Sequence, residues 1–284
     1  MSRMGAEAYD RAVPLSPLVA SYDNLILDMD GSLWVGDELT PRAGEAVTAL
    51  REGGKGITFV TNNPRRSAEE YVTKLWGLGI KASLAEVVTV GGAMQHLLAE
   101  TRSGRTAFVI GSPALMRHVA DAGLKILNGT DLATRAEVVV VGAAESLTYD
   151  DLRCAALSAR RSGDLLGTSR DPTYPMPDGF WPGTGALLAA VEVASGQTAQ
   201  IVGKPEPQLI LTALDRLGDG RTLMIGDRLD TDIAAAAKAH VDAALVLTGG
   251  VTREEADAAK NPKPVAIEAT LADVVLGPGG PGTA

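Results

Sequence analysis

Short apolar runs that stop abruptly at polar residues recur along the chain, and stretches of helical periodicity follow them. The run at 25–27 ends in Asp28, with Asp30 two places on and Gly31 next; the run at 57–60 ends in Thr61, Asn62 and Asn63. The run at 222–226 ends in an acidic turn holding Asp227, Asp230 and Asp232. Apolar runs of this length, bounded by turn signals, read as strands buried on both faces of a parallel sheet. Pro41 opens a helix that stops at Gly53 and Gly54. The helix at 67–78 begins with Ser67 and Glu70 spaced as a capping box. Between the first strand and first helix, residues 31–40 alternate around Gly31 and Gly36, the pattern of a tight hairpin-like flap.

A helix is expected from about residue 84 through VGGAMQHLLAETR to Arg105, and from residue 106 the alternation restarts. Strands are expected at 106–111, 136–142 and 164–169, with helices at 112–123 and 148–163 between them. The series is long enough for a sheet of its own and reads as an insertion. Residues 170–185 carry four prolines and three glycines and form the most irregular stretch; a loop this long inside a compact domain is usually functional. The first pattern then resumes with a short strand at 200–205 that ends in Lys204, held extended by Pro205. The strand at 242–250 is the last clear one. The expected fold is α/β: a Rossmann-like, doubly wound parallel sheet core at 21–101 and 200–276, with an inserted α/β cap domain at 102–199. Residues 1–20 and 277–284 are expected to be flexible.

Composition narrows the function. At 45% hydrophobic and 21% charged residues, the 284-residue chain can bury a core, built mostly from Ala, Val and Leu because aromatics are only 4%. The single cysteine, Cys154, excludes an internal disulfide framework and reads as buried filler on a helix face. His96, His118 and His240 lie in helical patterns without metal-ligand spacing. A net charge of −9 and no Lys/Arg-rich stripe argue against nucleic-acid partners. No run is long and apolar enough for a membrane partner or a signal peptide, so a cytoplasmic location is expected.

Four expected strands of the core end in reactive groups: Asp28/Asp30, Thr61/Asn62, Lys204 and Asp227/Asp232. Strands of one parallel sheet present their carboxyl ends along one edge, so these residues can share a site. Carboxylates at this density suit a hard cation with oxygen ligands, Mg²⁺ first. An ammonium, a hydroxyl and backbone N–H groups suit a phosphate, and a carboxylate beside both can attack phosphorus. Each group alone has an ordinary explanation: a surface lysine, a helix N-cap, acids near a helix dipole. Gly183-Thr184-Gly185 is half a glycine fingerprint and carries little weight. The ordered co-occurrence is what counts.

DMDGS at 28–32, VTNN at 60–63, GKP at 203–205 and GDRLDTD at 226–232 together resemble the four motifs of the haloacid dehalogenase superfamily of phosphatases. The insertion, with its Asp-Pro-x-x-Pro segment and PGTG, resembles the branch with a large α/β cap. That branch holds NagD-like nucleotidases and 4-nitrophenyl, phosphoglycolate, glycerol-3-phosphate and pyridoxal (chronophin-like) phosphatases. The resemblance covers about residues 21–276. It implies that Asp28 is the nucleophile, that Asp30 is the general acid and base, and that Lys204 holds nucleophile and phosphate together. It also implies phosphate binding by Thr61, Asn62, Asn63 and Gly31. Mg²⁺ would be held by Asp28, the main-chain carbonyl of Asp30, and Asp227, with Asp232 orienting metal waters. Ser32, Pro64 and the segment TSRDPTYP depart from the pattern. In this branch a cap loop selects the leaving group; Arg170, Asp171, Tyr174 and Met176 are the candidates, Arg170 for a second anionic group or else for a local salt bridge. The implied substrate is a small phosphorylated metabolite such as glycerol phosphate or phosphoglycolate, with nucleoside monophosphates and pyridoxal phosphate as alternatives. Family analogy adds a homodimer through the cap. A phospho-Asp signalling receiver uses similar groups, but it is shorter and has no inserted domain.

Overall fold

The computed structural model describes residues 14–144, 146–176 and 178–278. The strand Asn24–Asp28 lies in the interior of a six-stranded sheet, buried at every position. On one side its neighbours are Gly56–Thr61 and then Val87–Thr89; on the other they are Thr222–Gly226, Asp242–Val246 and Ala266–Glu268. Every pairing is parallel. Alternation along the strands feeds two apolar layers: Leu25, Leu27 and Phe59 join Val47, Leu50 and Tyr71. Ile26, Val60 and Met224 point the other way, among Met94, Leu209 and Ile210. The chain builds outward in one direction and, after the insertion, in the other. The topological switch therefore falls between Asn24–Asp28 and Thr222–Gly226, where ligands of such sheets bind.

The insertion forms a second parallel sheet, in the order Gln200–Ile201, Leu165–Gly167, Val138–Val141, Thr106–Ile110 and Lys125–Ile126. This corrects one expectation. The strand before Lys204 does not open the second half of the core sheet; it closes the cap sheet beside Leu165–Gly167. The ladder continues as Val202 N–H donates to Gly167 O at 3.1 Å and Gly203 N–H to Thr168 O at 2.9 Å. Lys204 thus hangs directly from the cap.

Other differences concern short or proline-rich pieces. Residues 170–185 are not irregular throughout: Thr173–Met176 pairs with Gly179–Pro182 in an antiparallel ribbon. Prolines are tolerated there because both outer edges of a two-stranded ribbon are free. Val87–Thr89, Lys125–Ile126 and Ala266–Glu268 are strands too short to show a period. The segment before residue 21 is tied down where described. Ser16 N–H and Oγ–H donate to Val275 O and Val274 O at 2.8 and 2.6 Å, and Val19 is fully buried. Residues 1–13 and 279–284, within the expected flexible ends, lie outside the described residues. The flap is a short hairpin of Trp34–Val35 and Glu38–Leu39. No described helix is long and apolar enough to cross a membrane.

Candidate active site

Asp28 stands at the carboxyl end of its strand, flanked by the strand that delivers Thr61 and the strand that delivers Asp227. Two glycines admit the Asp227 carboxylate. A Cβ on Gly31, at φ +95°, would lie 2.4 Å from Asp227 Oδ2, and one on Gly249 would lie 1.6 Å from it. Ser32 Oγ–H donates to Asp227 Oδ1 at 3.3 Å. Asp232 has its oxygens engaged: Oδ2 accepts from the backbone of Asp227 and Arg228 at 3.2 and 3.1 Å, and Oδ1 accepts from Lys204 Nζ at 2.6 Å.

Lys204, 2% exposed, joins the two sides of the site. Its ammonium also donates to Asp28 Oδ1 at 2.5 Å. Burial works against this charge, but Asp232 and Asp28 outweigh it and raise the lysine pKa. Burial lifts the Asp28 carboxyl to about 7 against the pull of Lys204, with Asp232 adding to the rise. Burial, then the charges of Asp28 and Asp232, push Asp227 well above the ordinary carboxylate range. One ammonium is too little positive charge for three buried carboxylates. Asp28 Oδ2 is buried with no hydrogen-bond partner, and Asp28, Asp227 and Asp232 offer oxygens within 4.8 Å of one another. An orphaned oxygen, a shared carboxylate pocket and a charge deficit fit a divalent cation with oxygen ligands.

Asp30 is held from two sides. Thr61 Oγ1–H donates to its Oδ2 at 3.1 Å and Trp34 Nε1–H to its Oδ1 at 3.1 Å. Trp34 is itself fixed, stacked on buried Tyr71 with ring centroids 6.4 Å apart.

A family model described as haloacid dehalogenase-like hydrolase matches residues 25–125, and a HAD-hydrolase-like model matches residues 201–274. Chronophin of Mus musculus is 35% identical over 258 residues, covering 87% of this chain and 88% of that protein. The chain belongs to the haloacid dehalogenase-like hydrolases. The acid sugar phosphatase of Staphylococcus haemolyticus is 32% identical, with 83% of this chain and 89% of that one covered. The magnesium complex of the Mycobacterium tuberculosis glycerol phosphate phosphatase superposes with a TM-score of 0.82 at 34% identity, covering 92% of this chain and 79% of that one.

This haloacid dehalogenase-like enzyme is a Mg²⁺-dependent phosphoric monoester hydrolase working through an aspartyl phosphate, with a Rossmann-like core and an inserted cap. A pH dependence follows for its metal. Asp28 holds its proton up to about pH 7 without a cation, so protons compete with Mg²⁺ below that pH and affinity falls by up to about tenfold per pH unit per proton displaced. The stability sign agrees. A folded-state pKa raised above the unfolded value means the metal-free protein loses stability as pH rises from about 4 through 7. Melting curves in EDTA and in Mg²⁺ should therefore show a larger Mg²⁺-induced rise in Tm at pH 8 than at pH 6; an equal rise would contradict the assignment.

The walls of the phosphatase cleft differ from expectation. Asp171, Thr173 and Tyr174 line it from the cap; Arg170 and Met176 are not among its described lining residues. Arg170 makes a two-pronged ion pair with Glu192, at 2.9 and 2.8 Å, since Glu192 lies within its reach on the helix Thr184–Ser195. Arg65 and Arg228 take its place at the cleft. Arg65 lies 4.3 Å over the Tyr174 ring and donates to the Tyr174 hydroxyl. Arg228 lies 3.7 Å from Asp171 Oδ1 and 3.0 Å from Asp230. Sequence reasoning missed both, although each closely follows a motif strand.

Three expected phosphate donors are used within the protein. Gly31 N–H donates to Trp34 O at 2.7 Å, closing the flap turn. Asn63 N–H donates to Thr61 Oγ1 at 2.9 Å, and its side chain leans on Asp30 at 3.5 Å. Asn62, also on the cleft wall, spends its side-chain amide on Lys204 and Asp171. Cys154 is buried and free, and it lies on the cap helix Tyr149–Ser162.

Proposed function

We propose that the enzyme hydrolyses small phosphate monoesters with short polar leaving groups, of the glycerol phosphate or phosphoglycolate kind. The observation that carries this reading is the space over Asp28. A cavity of about 70 Å³ is lined by Asp28 and Lys204 on the floor and by Asp171, Thr173 and Tyr174 from the cap. A space this small, walled by the cap, favours a phosphoryl group carrying a short chain. A nucleoside or pyridoxyl group requires the cap to stand further off. Relatives include a D-glycerol 3-phosphate phosphatase and an acid sugar phosphatase, which favour this kind of ester, and chronophin, which stands for the pyridoxal phosphate alternative.

The residue roles follow from this reading. Asp28 Oδ2 attacks phosphorus, and the departing alkoxide takes a proton from Asp30. Asp30 then takes a proton from the water that attacks the aspartyl phosphate, which releases inorganic phosphate and restores Asp28. Thr61 and Trp34 hold the Asp30 carboxyl for both transfers. Lys204 neutralises Asp28 and the incoming phosphoryl oxygens. Asp28, Asp227 and the Asp30 main-chain carbonyl, with Asp232 alongside, would hold Mg²⁺, which would supply the remaining charge neutralisation. Arg65 and Arg228 supply positive charge where a leaving group with its own carboxylate or hydroxyls would stand.

A panel of phosphate esters with Mg²⁺ tests the proposal. Glycerol phosphates and phosphoglycolate are expected to exceed nucleoside monophosphates and pyridoxal phosphate in kcat/KM by at least about tenfold, or 1.4 kcal/mol; the reverse order would reject it. We also read the enzyme as cytoplasmic and homodimeric through its cap. Exposed Tyr149, Leu157 and Val193 on the cap helices support the dimer, which sedimentation at monomer mass would refute.

A further inference from the structure

One side chain of the cap reaches the catalytic floor through Asn62, and it also lies 3.7 Å from Arg228. Asp171 Oδ2 accepts a hydrogen bond from Asn62 Nδ2 at 3.1 Å. The same Asn62 amide clamps the main chain of Lys204 on both polar groups. Its Nδ2 donates to Lys204 O at 2.9 Å, and its Oδ1 accepts from Lys204 N–H at 2.8 Å. Lys204 Nζ in turn meets Asp28. A continuous run of contacts therefore joins a cap carboxylate to the nucleophile through Asn62 and Lys204.

The geometry allows one orientation of the Asn62 amide. Flipped, it would set N–H against the Lys204 N–H, and oxygen against both the Lys204 carbonyl and the Asp171 carboxylate. The Asp171 oxygen that accepts from the amide polarises it and strengthens its bond to the lysine carbonyl. Close packing keeps the clamp tight. A Cβ on Gly203 would lie 2.5 Å from Asn62 Oδ1 and 2.3 Å from Thr168 O, so only glycine lets the lysine main chain press against both the core amide and the cap strand.

We propose that Asp171 is a positioning residue through which the seated cap sets the aim of Lys204, acting through Asn62. Turnover then depends on cap seating for a reason separate from the exclusion of water. The proposal rests on the phosphatase chemistry and not on which ester is the natural substrate, because Lys204 serves every leaving group alike. Steady-state kinetics with 4-nitrophenyl phosphate and glycerol phosphate test it in the Mg²⁺-loaded full chain. Asp171→Ala should lower kcat about 10- to 100-fold on both esters, the size of effect that a displacement of about 1 Å produces, with KM changed less than about threefold. Asp171→Asn, whose amide oxygen can still accept from Asn62, should recover kcat to within about threefold of wild type. Asn62→Ala, which also removes both bonds to the Lys204 main chain, should cost at least as much as Asp171→Ala, and the double variant should be no worse than Asn62→Ala alone. Asp171→Ser gives the same test should the alanine variant fail to fold. The proposal is overturned by unchanged kcat in the alanine or serine variant, by losses that multiply in the double variant, or by failure of Asp171→Asn to recover. A loss confined to KM for glycerol phosphate would also overturn it, making Asp171 a leaving-group contact instead. Activity on 4-nitrophenyl phosphate alone would sink the glycerol phosphate reading and leave this one standing.

Discussion

Asp28→Asn is expected to abolish phosphate release, with kcat lower by about 10⁴- to 10⁶-fold, in a protein that still folds. The amide keeps the size of the carboxyl and can still accept from Lys204 Nζ, 2.5 Å away in the native enzyme, but it cannot attack phosphorus. Stability should hold or rise in the metal-free variant at pH 8, because the native group is a buried carboxyl whose pKa is lifted to about 7. A phosphate-release assay beside a thermal melt checks both parts. Turnover within about tenfold of wild type would remove Asp28 as the nucleophile.

Lys204→Met should produce the largest loss of stability among single changes in the site. Methionine fills the space but leaves Asp28 and Asp232, both almost fully buried, without their shared cation. Removing one partner of a buried ion pair costs about 3–5 kcal/mol. The deficit should shrink at pH 5.5, where Asp28 takes up a proton, and shrink on adding Mg²⁺ at pH 8, where the metal replaces part of the lost charge. Activity should fall by at least about 10³-fold, since a preorganised cation aimed at the phosphoryl oxygens is lost. Denaturation curves at the two pH values, with and without Mg²⁺, measure the effect; a variant as stable as wild type in EDTA at pH 8 would mean that the carboxylates are not charged there.

The helix starts were legible because capping is local. Ser67 accepts from Glu70 N–H and Glu70 returns the bond to Ser67 N–H, as their spacing predicts. Trp34 and Leu39 face each other in the flap that the alternation around Gly36 announces. The longer strands were legible for a related reason: a buried run must end where its backbone meets polar turn residues.

The sequence by itself determined the doubly wound core, the insertion and the reactive tips Asp28, Thr61 and Asp227, because burial and turn chemistry act between near neighbours in the chain. Only the tertiary structure decided which partner each long side chain or very short strand takes. Gln200–Ile201 could extend either sheet, and the edge beside Leu165–Gly167 wins through two further backbone bonds. Arg170 carries the same charge as Arg65 or Arg228, yet Glu192 lies within its reach and the cleft is left to the other two. Asn62 looks like a free donor until the fold brings Lys204 and Asp171, residues far along the chain, onto its amide. Partner choice of this kind is a competition among contacts of about 1 kcal/mol each, and it is settled by which groups the packed backbone brings within hydrogen-bond distance.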